Sequence, residues 1–83
     1  MIHTFHWWNV DKTIDLNEIA IFSCVAEETN LTRAARRLGL PKSTVSRKLT
    51  ALEGRLRVRL MHRSPRGVDL TDAGRALHAE ARL

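Results

Sequence analysis

The stretch that decides the fold is NLTRAARRLGLPKSTVSRKLTALEGRL, residues 30–56. Apolar residues recur every three or four positions on both sides of Gly39, as they do on one face of a helix. Gly39 can take the left-handed conformation that ends a helix, and Pro41 suits the first turn of the next helix. The stretch therefore predicts a helix-turn-helix whose second helix runs from about Lys42 to Leu56. The apolar positions are Leu31, Ala34, Ala35, Leu38, Val45, Leu49, Leu52 and Leu56.

The outward face of that second helix carries hydrogen-bonding and cationic side chains and no acidic one. A helix that enters the DNA major groove needs such residues near its N-terminal end. Arginine can pair with both acceptors of guanine, and hydroxyl groups can bind base edges or phosphates. We therefore predict that this face reads double-stranded DNA and that Lys48 contacts a phosphate. The alternative is that the face is only a solvated side of an ordinary three-helix domain. The face consists of Lys42, Ser43, Thr44, Ser46, Arg47 and Lys48.

The positive charge is concentrated in the same part of the chain. The 83 residues carry a net charge of +5, but residues 1–30 alone sum to −4 and residues 31–83 to +9. A region this basic attracts a polyanion. A membrane surface is also polyanionic, but only the N-terminus, and weakly, combines basic and exposed large apolar side chains. The charge pattern therefore favours nucleic acid as the partner.

The residues before the helix-turn-helix predict a further helix that completes a three-helix core. It should begin at Asp15, with Glu18 closing a capping box, and end at residues 27–29. This helix is acidic and is expected to supply core packing rather than DNA contacts. Its predicted buried stripe is Leu16, Ile19, Phe22, Val25 and Ala26.

The start of the next helix is a predicted phosphate site. Asn30 is a good N-cap, and the free N–H groups of a helix N-terminus can hold a DNA phosphate. Thr32 and Arg33 stand beside those groups. We therefore predict that both side chains contact the DNA backbone.

The segment VRLMHRSPRGV, residues 58–68, predicts a β-hairpin. Val58 begins an alternating pattern typical of a half-buried strand, and residues 64–67 have the composition of a turn. Arg66 at the tip is predicted to enter a narrow minor groove, where the negative potential is greatest. Arg63 at the base is predicted to be either a phosphate contact or a structural ion-pair partner.

Two blocks of the chain resemble the N-terminal domain of LysR-type transcriptional regulators: residues 31–56 and VRLMHRSPRGVDLTDAGRAL, residues 58–77. AARRLGL, STVSRKLTALE, RSPRG and LTDAG have that family's order and spacing, and the resemblance covers roughly residues 15–83. It implies a mainly α fold, a winged helix-turn-helix with a three-helix core and a short two-stranded wing, followed by a linker helix. Arg57 departs from the pattern, because the family usually has glycine there; if the backbone at this residue is left-handed, the arginine is strained.

The resemblance also implies how the chain is divided. Residues 1–14 would be an irregular extension, residues 15–70 the DNA-binding domain, and residues 71–83 the start of a linker helix that pairs with its twin in a homodimer. Such a dimer would bind an interrupted palindrome. We expect the family's effector-binding domain to be absent, so that a small-molecule effector would act only through that missing domain. The predicted dimer contacts are Ala73, Ala76, Leu77 and Ala81.

Other classes of protein are not favoured by the sequence. Cys24 is the single cysteine, which excludes an internal disulfide and suits a reducing cytoplasm. No signal peptide or membrane span is predicted. His3 and His6 lack a third ligand, so we predict no metal site, and no cofactor-binding motif or catalytic Ser–His–carboxylate arrangement is recognisable. Two tryptophans at residues 7–8 should pack on the first helix or on a neighbouring chain. We therefore do not expect an enzyme.

Two further functions remain open at this point. A winged helix can serve protein–protein contact, which would need an apolar or acidic exposed patch that the second helix of the pair does not show. General nucleic-acid or RNA binding is the other, and it would give equal affinity for random duplexes. A different winged-helix family is also conceivable, although the LTDAG stretch after the wing argues against it.

Overall fold

The computed structural model describes residues 15–81 and shows within them a mainly helical winged helix-turn-helix, as predicted. The predictions for residues 1–14 and for Leu83 lie outside the described residues. The elements are α1 (Leu16–Glu28), α2 (Leu31–Leu38), α3 (Lys42–Leu56), β1 (Met61–Ser64), β2 (Gly67–Leu70) and α4 (Asp72–Ala81).

Helix α1 begins where the sequence predicts, but its buried face differs. Asp15 is the N-cap, and its carboxylate accepts from the Asn17 N–H at 2.9 Å. Glu18, however, is only 2% exposed and binds the Arg55 guanidinium of α3, so the predicted capping box is wrong. Leu16 is also not part of the stripe, because it is 72% exposed.

The core is wider on α1 than one helical stripe. Phe22 and Val25 are fully buried as predicted, and Ile21 and Cys24 join them. The reason is that α1 packs against α2, α3, α4 and β2 at once. Burial raises the pKa of the Cys24 thiol, whose sulfur lies 3.9 Å from the Ala34 carbonyl oxygen.

The turn between α2 and α3 confirms the local prediction. Gly39 ends α2 with a φ of 69°, and the Leu40 N–H donates to the Ala35 oxygen at 3.0 Å. Ala34 and Ala35 are buried on the inner side of α2. Pro41 is the extended N-cap of α3 and so lies one position before the first helical turn where we expected it.

The end of α3 carries two locally unfavourable residues. Arg57 is left-handed, with a φ of 57°, and its N–H donates to the Glu53 oxygen. Gly54 lies inside the helix, and a Cβ added there would meet nothing within 4 Å. Neither residue is therefore required by packing.

The wing is an antiparallel pair in which Met61 faces Leu70 and Ser64 faces Gly67. It starts three residues later than predicted, because Val58 is 40% exposed and lies outside the strand. The Leu60 N–H is used elsewhere: it donates to the Glu53 carboxylate at 2.7 Å. That hydrogen bond ties the segment that leads into β1 (residues 58–60, the strand entrance) to α3 instead of to β2.

Helix α4 is anchored to that same entrance. The Thr71 hydroxyl caps α4 by accepting from the Gly74 N–H at 3.0 Å, and it donates to the Arg59 oxygen at 2.6 Å. The Thr71 N–H donates to the Leu60 oxygen at 3.0 Å. Gly74 is buried against this carbonyl, so the close approach of α4 depends on a residue without a side chain.

Candidate nucleic-acid interface

The first half of α3 presents the predicted reading face outward. Lys42, Ser43 and Arg47 are exposed, whereas Val45, between them in sequence, is fully buried. The apolar side of α3 therefore points into the core and leaves the opposite side free. Thr44, Ser46 and Lys48 are half-buried at the edges of this face. The first turn of α3 contains no acidic residue, so a phosphate or base edge would meet no repulsion there.

Arg63 connects the wing to α3. Its Nη1 donates to the Ser46 hydroxyl at 2.9 Å, and its Nη2 lies 3.6 Å from the Glu53 carboxylate. The structure thus brings Arg63 into the second of its two predicted roles, that of a structural ion-pair partner. Part of its hydrogen-bonding capacity is used in fixing the wing beside the reading face. Its contact with a phosphate stays a prediction.

The tip of the wing leaves Arg66 exposed in the turn between β1 and β2. The Arg66 N–H donates to the Ser64 hydroxyl at 3.2 Å, which shapes the turn without using the guanidinium. The return strand is tied to the α1–α2 connection, because the Val68 N–H donates to the Thr29 oxygen at 2.9 Å. Gly67, with a φ of 137°, permits this approach, since a Cβ would come 2.6 Å from the same oxygen.

The N-terminus of α2 has the predicted cap but a partly engaged arginine. Asn30 accepts from the Arg33 N–H at 2.8 Å, and Thr32 is exposed beside it. The Arg33 guanidinium turns back toward α1, donating to the Glu28 oxygen at 2.8 Å. Thr32 is therefore better placed than Arg33 to meet a phosphate directly.

Three elements meet around one small polar cavity of about 150 Å³. The start of α2, the start of α3 and the wing all contribute to its lining. A phosphate bound there would contact all three elements of the predicted interface, which supports treating them as one surface. The polar residues of the lining are Asn30, Thr32, Lys42, Arg63 and Ser64.

The predicted dimer contacts on α4 fall into two groups. Ala73 and Leu77 are half-buried and pack against the domain's own core. Ala76 is exposed, and Ala81 lines an open groove with Leu16 and other residues of α1. Only the second group therefore offers a surface to another chain.

Sequence reasoning missed the role of Glu53. Its carboxylate accepts from the Leu60 N–H at 2.7 Å and lies near the guanidinium groups of Arg59 and Arg63. The available signal was that Glu53 is the one acidic residue of α3. A single acidic residue on a helix that otherwise carries cations is a candidate for a structural hydrogen bond or ion pair.

Other classes of site find no support in the part of the chain that the structure describes. Within residues 15–81, no group of three or more His, Cys, Asp or Glu side chains could hold a metal ion. None of the helices in that range is long and apolar enough to cross a membrane.

Comparison with known families gives one match over most of the chain. The family described as bacterial regulatory helix-turn-helix protein, lysR family, matches residues 16–75. A Xanthomonas campestris protein named HTH-type transcriptional regulator is 52% identical over 66 residues, which cover 80% of this chain and 19% of that protein. The probable cat1 operon transcriptional activator of Acinetobacter lwoffii is 43% identical over 68 residues, covering 82% of this chain and 22% of that protein. The chain thus spans about a fifth of the length of these relatives.

Solved structures give the same result for the fold. The crystal structure of a CbnR DBD–DNA complex matches with a TM-score of 0.81 and 39% identity, covering 83% of this chain and 79% of that chain. The BenM DBD/catB site 1 DNA complex matches with a TM-score of 0.79 and 31% identity, covering 82% of this chain and 76% of that chain.

Proposed function

The chain belongs to the LysR family of bacterial regulatory helix-turn-helix proteins, and we propose that it binds double-stranded DNA sequence-specifically as the DNA-binding module of a transcriptional regulator. The observation that carries the proposal is the outward face of α3. Its exposed Lys42, Ser43 and Arg47 stand on a helix whose other side is locked into the core. Such a helix can enter the major groove without any rearrangement of the domain.

The remaining parts of the interface position the domain on the duplex. Thr32 and Lys48 bind phosphates on either side of the reading face, and Arg33 and Arg63 add positive charge beside them. Arg66 enters the minor groove from the tip of the wing. Because Arg63 joins the wing to Ser46, the two reading elements reach the duplex in a fixed relative orientation.

The proposal includes a homodimer formed through α4. Ala76 is exposed and Ala81 is half-buried, and both side chains are small, so a second α4 can approach closely. Two copies related by a twofold axis would place their α3 helices roughly 34 Å apart, on successive turns of the major groove. The expected target is therefore an interrupted palindrome. The proposed setting is the cytoplasm, and no catalytic role is assigned.

Selection of bound sites from random duplexes tests the specificity. We expect an enriched inverted repeat, whereas equal recovery of all sequences would refute sequence-specific binding. The mass of the chain in solution, measured with and without the selected duplex, tests the dimer.

Two substitutions separate base reading from phosphate contact. Arg47→Ala should cost about 1–3 kcal/mol on the selected site and relax its base preference. Lys48→Ala should weaken all sequences alike and reduce the slope of log K against log salt by roughly one. Arg59→Ala, which removes one exposed cation away from this face, is the matched control. An unchanged site preference in the Arg47 variant would show that the reading face is assigned wrongly.

A further inference from the structure

A second groove, of about 580 Å³, lies between the C-terminal half of α3 and the segment that leads into β1. It contains none of the exposed residues proposed to read bases. Only Arg63, already bonded to Ser46 and close to Glu53, borders both surfaces. The groove is lined by Thr50, Glu53, Gly54, Arg57, Val58, Arg59 and Arg63.

Two locally unfavourable residues converge on this groove. Gly54 in a helix interior is less favourable than alanine, although a Cβ there would meet nothing within 4 Å. Arg57 in the left-handed region is less favourable than glycine would be. Packing requires neither choice. Departures from local preference of this kind are expected where a surface serves a function.

The groove combines positive charge with exposed apolar surface. Arg59 has 69% of its side chain exposed, although its Nε lies 3.8 Å from the Glu53 carboxylate, and Arg57 is exposed beside it. Val58, between them, is 40% exposed. Among the described residues that line the groove, Glu53 is the only acid. Its side chain is 12% exposed and already accepts from the Leu60 N–H at 2.7 Å, so it opposes an incoming anion little.

The groove lies away from the proposed DNA-reading face. With a rise of about 1.5 Å per residue, Arg57 is roughly 15 Å farther along the axis of α3 than Arg47. The wing tip that would meet the same duplex follows Ser64, whereas most of the groove lining comes before β1 and only Arg63 belongs to the wing. The exposed Val58 offers an aliphatic surface on which an apolar side chain of a protein segment can pack.

We propose that this groove binds an acidic protein segment that carries apolar side chains. Its carboxylates pair with Arg57 and Arg59, and an apolar side chain packs on Val58 in the space left open at Gly54. Because the groove and the reading face are separate, such a segment can bind while α3 lies in the major groove of DNA.

The test is a titration of the full 83-residue chain with a short synthetic peptide that alternates glutamate and leucine, followed by NMR of the backbone amides. A peptide with serine in place of leucine is the control for charge alone. We expect the leucine peptide to shift the amides of Thr50, Gly54 and Val58 and to bind more tightly than the serine peptide.

Variants sharpen the result. Arg57→Gly, which also relieves the backbone, should weaken the peptide roughly fivefold, the upper range for one exposed ion pair. Gly54→Gln fills the groove and should abolish binding while raising the stability of α3. Arg36→Gln removes one exposed cation from α2 and should leave the affinity unchanged.

Four outcomes would overturn the proposal. Shifts confined to the amides of residues 42–47 would mean that the acidic peptide binds the DNA-reading face and not the groove. Equal affinity for the serine peptide would show that the apolar contact does not contribute to binding. Shifts of the groove amides on addition of duplex DNA, as large as those of the reading face, would assign the groove to flanking DNA. Concentration-dependent shifts of these amides without peptide would assign it to a second copy of the chain.

Discussion

Gly74→Ala should destabilise the domain even though alanine is the better helix former. A Cβ at this position would overlap the Leu60 carbonyl oxygen and lie 3.0 Å from its carbon. The obstacle is backbone and cannot rotate away, so α4 would have to move by roughly 1 Å or more to restore ordinary contact distances. That movement would strain the Thr71 N–H bond to the same oxygen, now 3.0 Å long.

The size of the effect follows from three contributions. Overpacking costs about 1–3 kcal/mol and a weakened buried hydrogen bond about 1 kcal/mol, while the helix preference of alanine returns about 1 kcal/mol. We expect a net loss of about 1–3 kcal/mol, which lowers the melting temperature of a domain of this size by roughly 5–20 °C.

Thermal unfolding followed by circular dichroism measures this loss, and the chain supplies its own control. Gly54→Ala makes the same substitution inside α3, where the added Cβ meets nothing within 4 Å. It should stabilise by about 0.5–1 kcal/mol. If Gly74→Ala left the melting temperature unchanged or raised it, the inferred contact between α4 and the strand entrance would be wrong.

Three further predictions concern stability. Arg57→Gly should raise the unfolding free energy by roughly 1 kcal/mol, because glycine relieves the left-handed φ of 57°; a lower melting temperature would refute this. Arg55→Ala should cost about 1–3 kcal/mol in chemical denaturation, because it leaves the Glu18 carboxylate buried without its partner, and Arg55→Lys should recover part of the loss. Burial raises the pKa of the Cys24 thiol, so the unfolded chain loses this proton first, at a pH of about 8.5. Stability should therefore fall as the pH rises from there toward the folded pKa, and Cys24→Ala should flatten that part of the profile.

The helix-turn-helix could be predicted from sequence because its determinants are local. The cap at Asn30 and the left-handed Gly39 each depend on residues within one helical turn, and both are where the pattern puts them. The reading face followed from the same periodicity, since fixing the buried side of α3 also fixes the exposed side. Its contacts with DNA remain predictions.

What the sequence did not predict depends on residues far apart in the chain. Glu18 looks like a capping residue until Arg55, 37 positions later, is placed beside it. Val58 begins an alternating pattern, but the N–H of Leu60, two residues later, donates to Glu53, so the strand starts later. Gly74 appears merely tolerated in a helix until its carbonyl neighbour is known. No local pattern contains this information.

These long-range contacts share one location, the entrance of β1. Leu60 gives its N–H to Glu53 of α3 and its oxygen to Thr71 at the start of α4, so two helices hold the same peptide segment. Glu53 also lies close to Arg63, whose other nitrogen bonds Ser46 at the edge of the reading face. The orientation of the wing is therefore set from α3 itself, by an acid that occupies the inner side of an otherwise cationic helix. A domain built in this way can place a helix and a hairpin on a duplex together, because neither can turn without breaking bonds to the other.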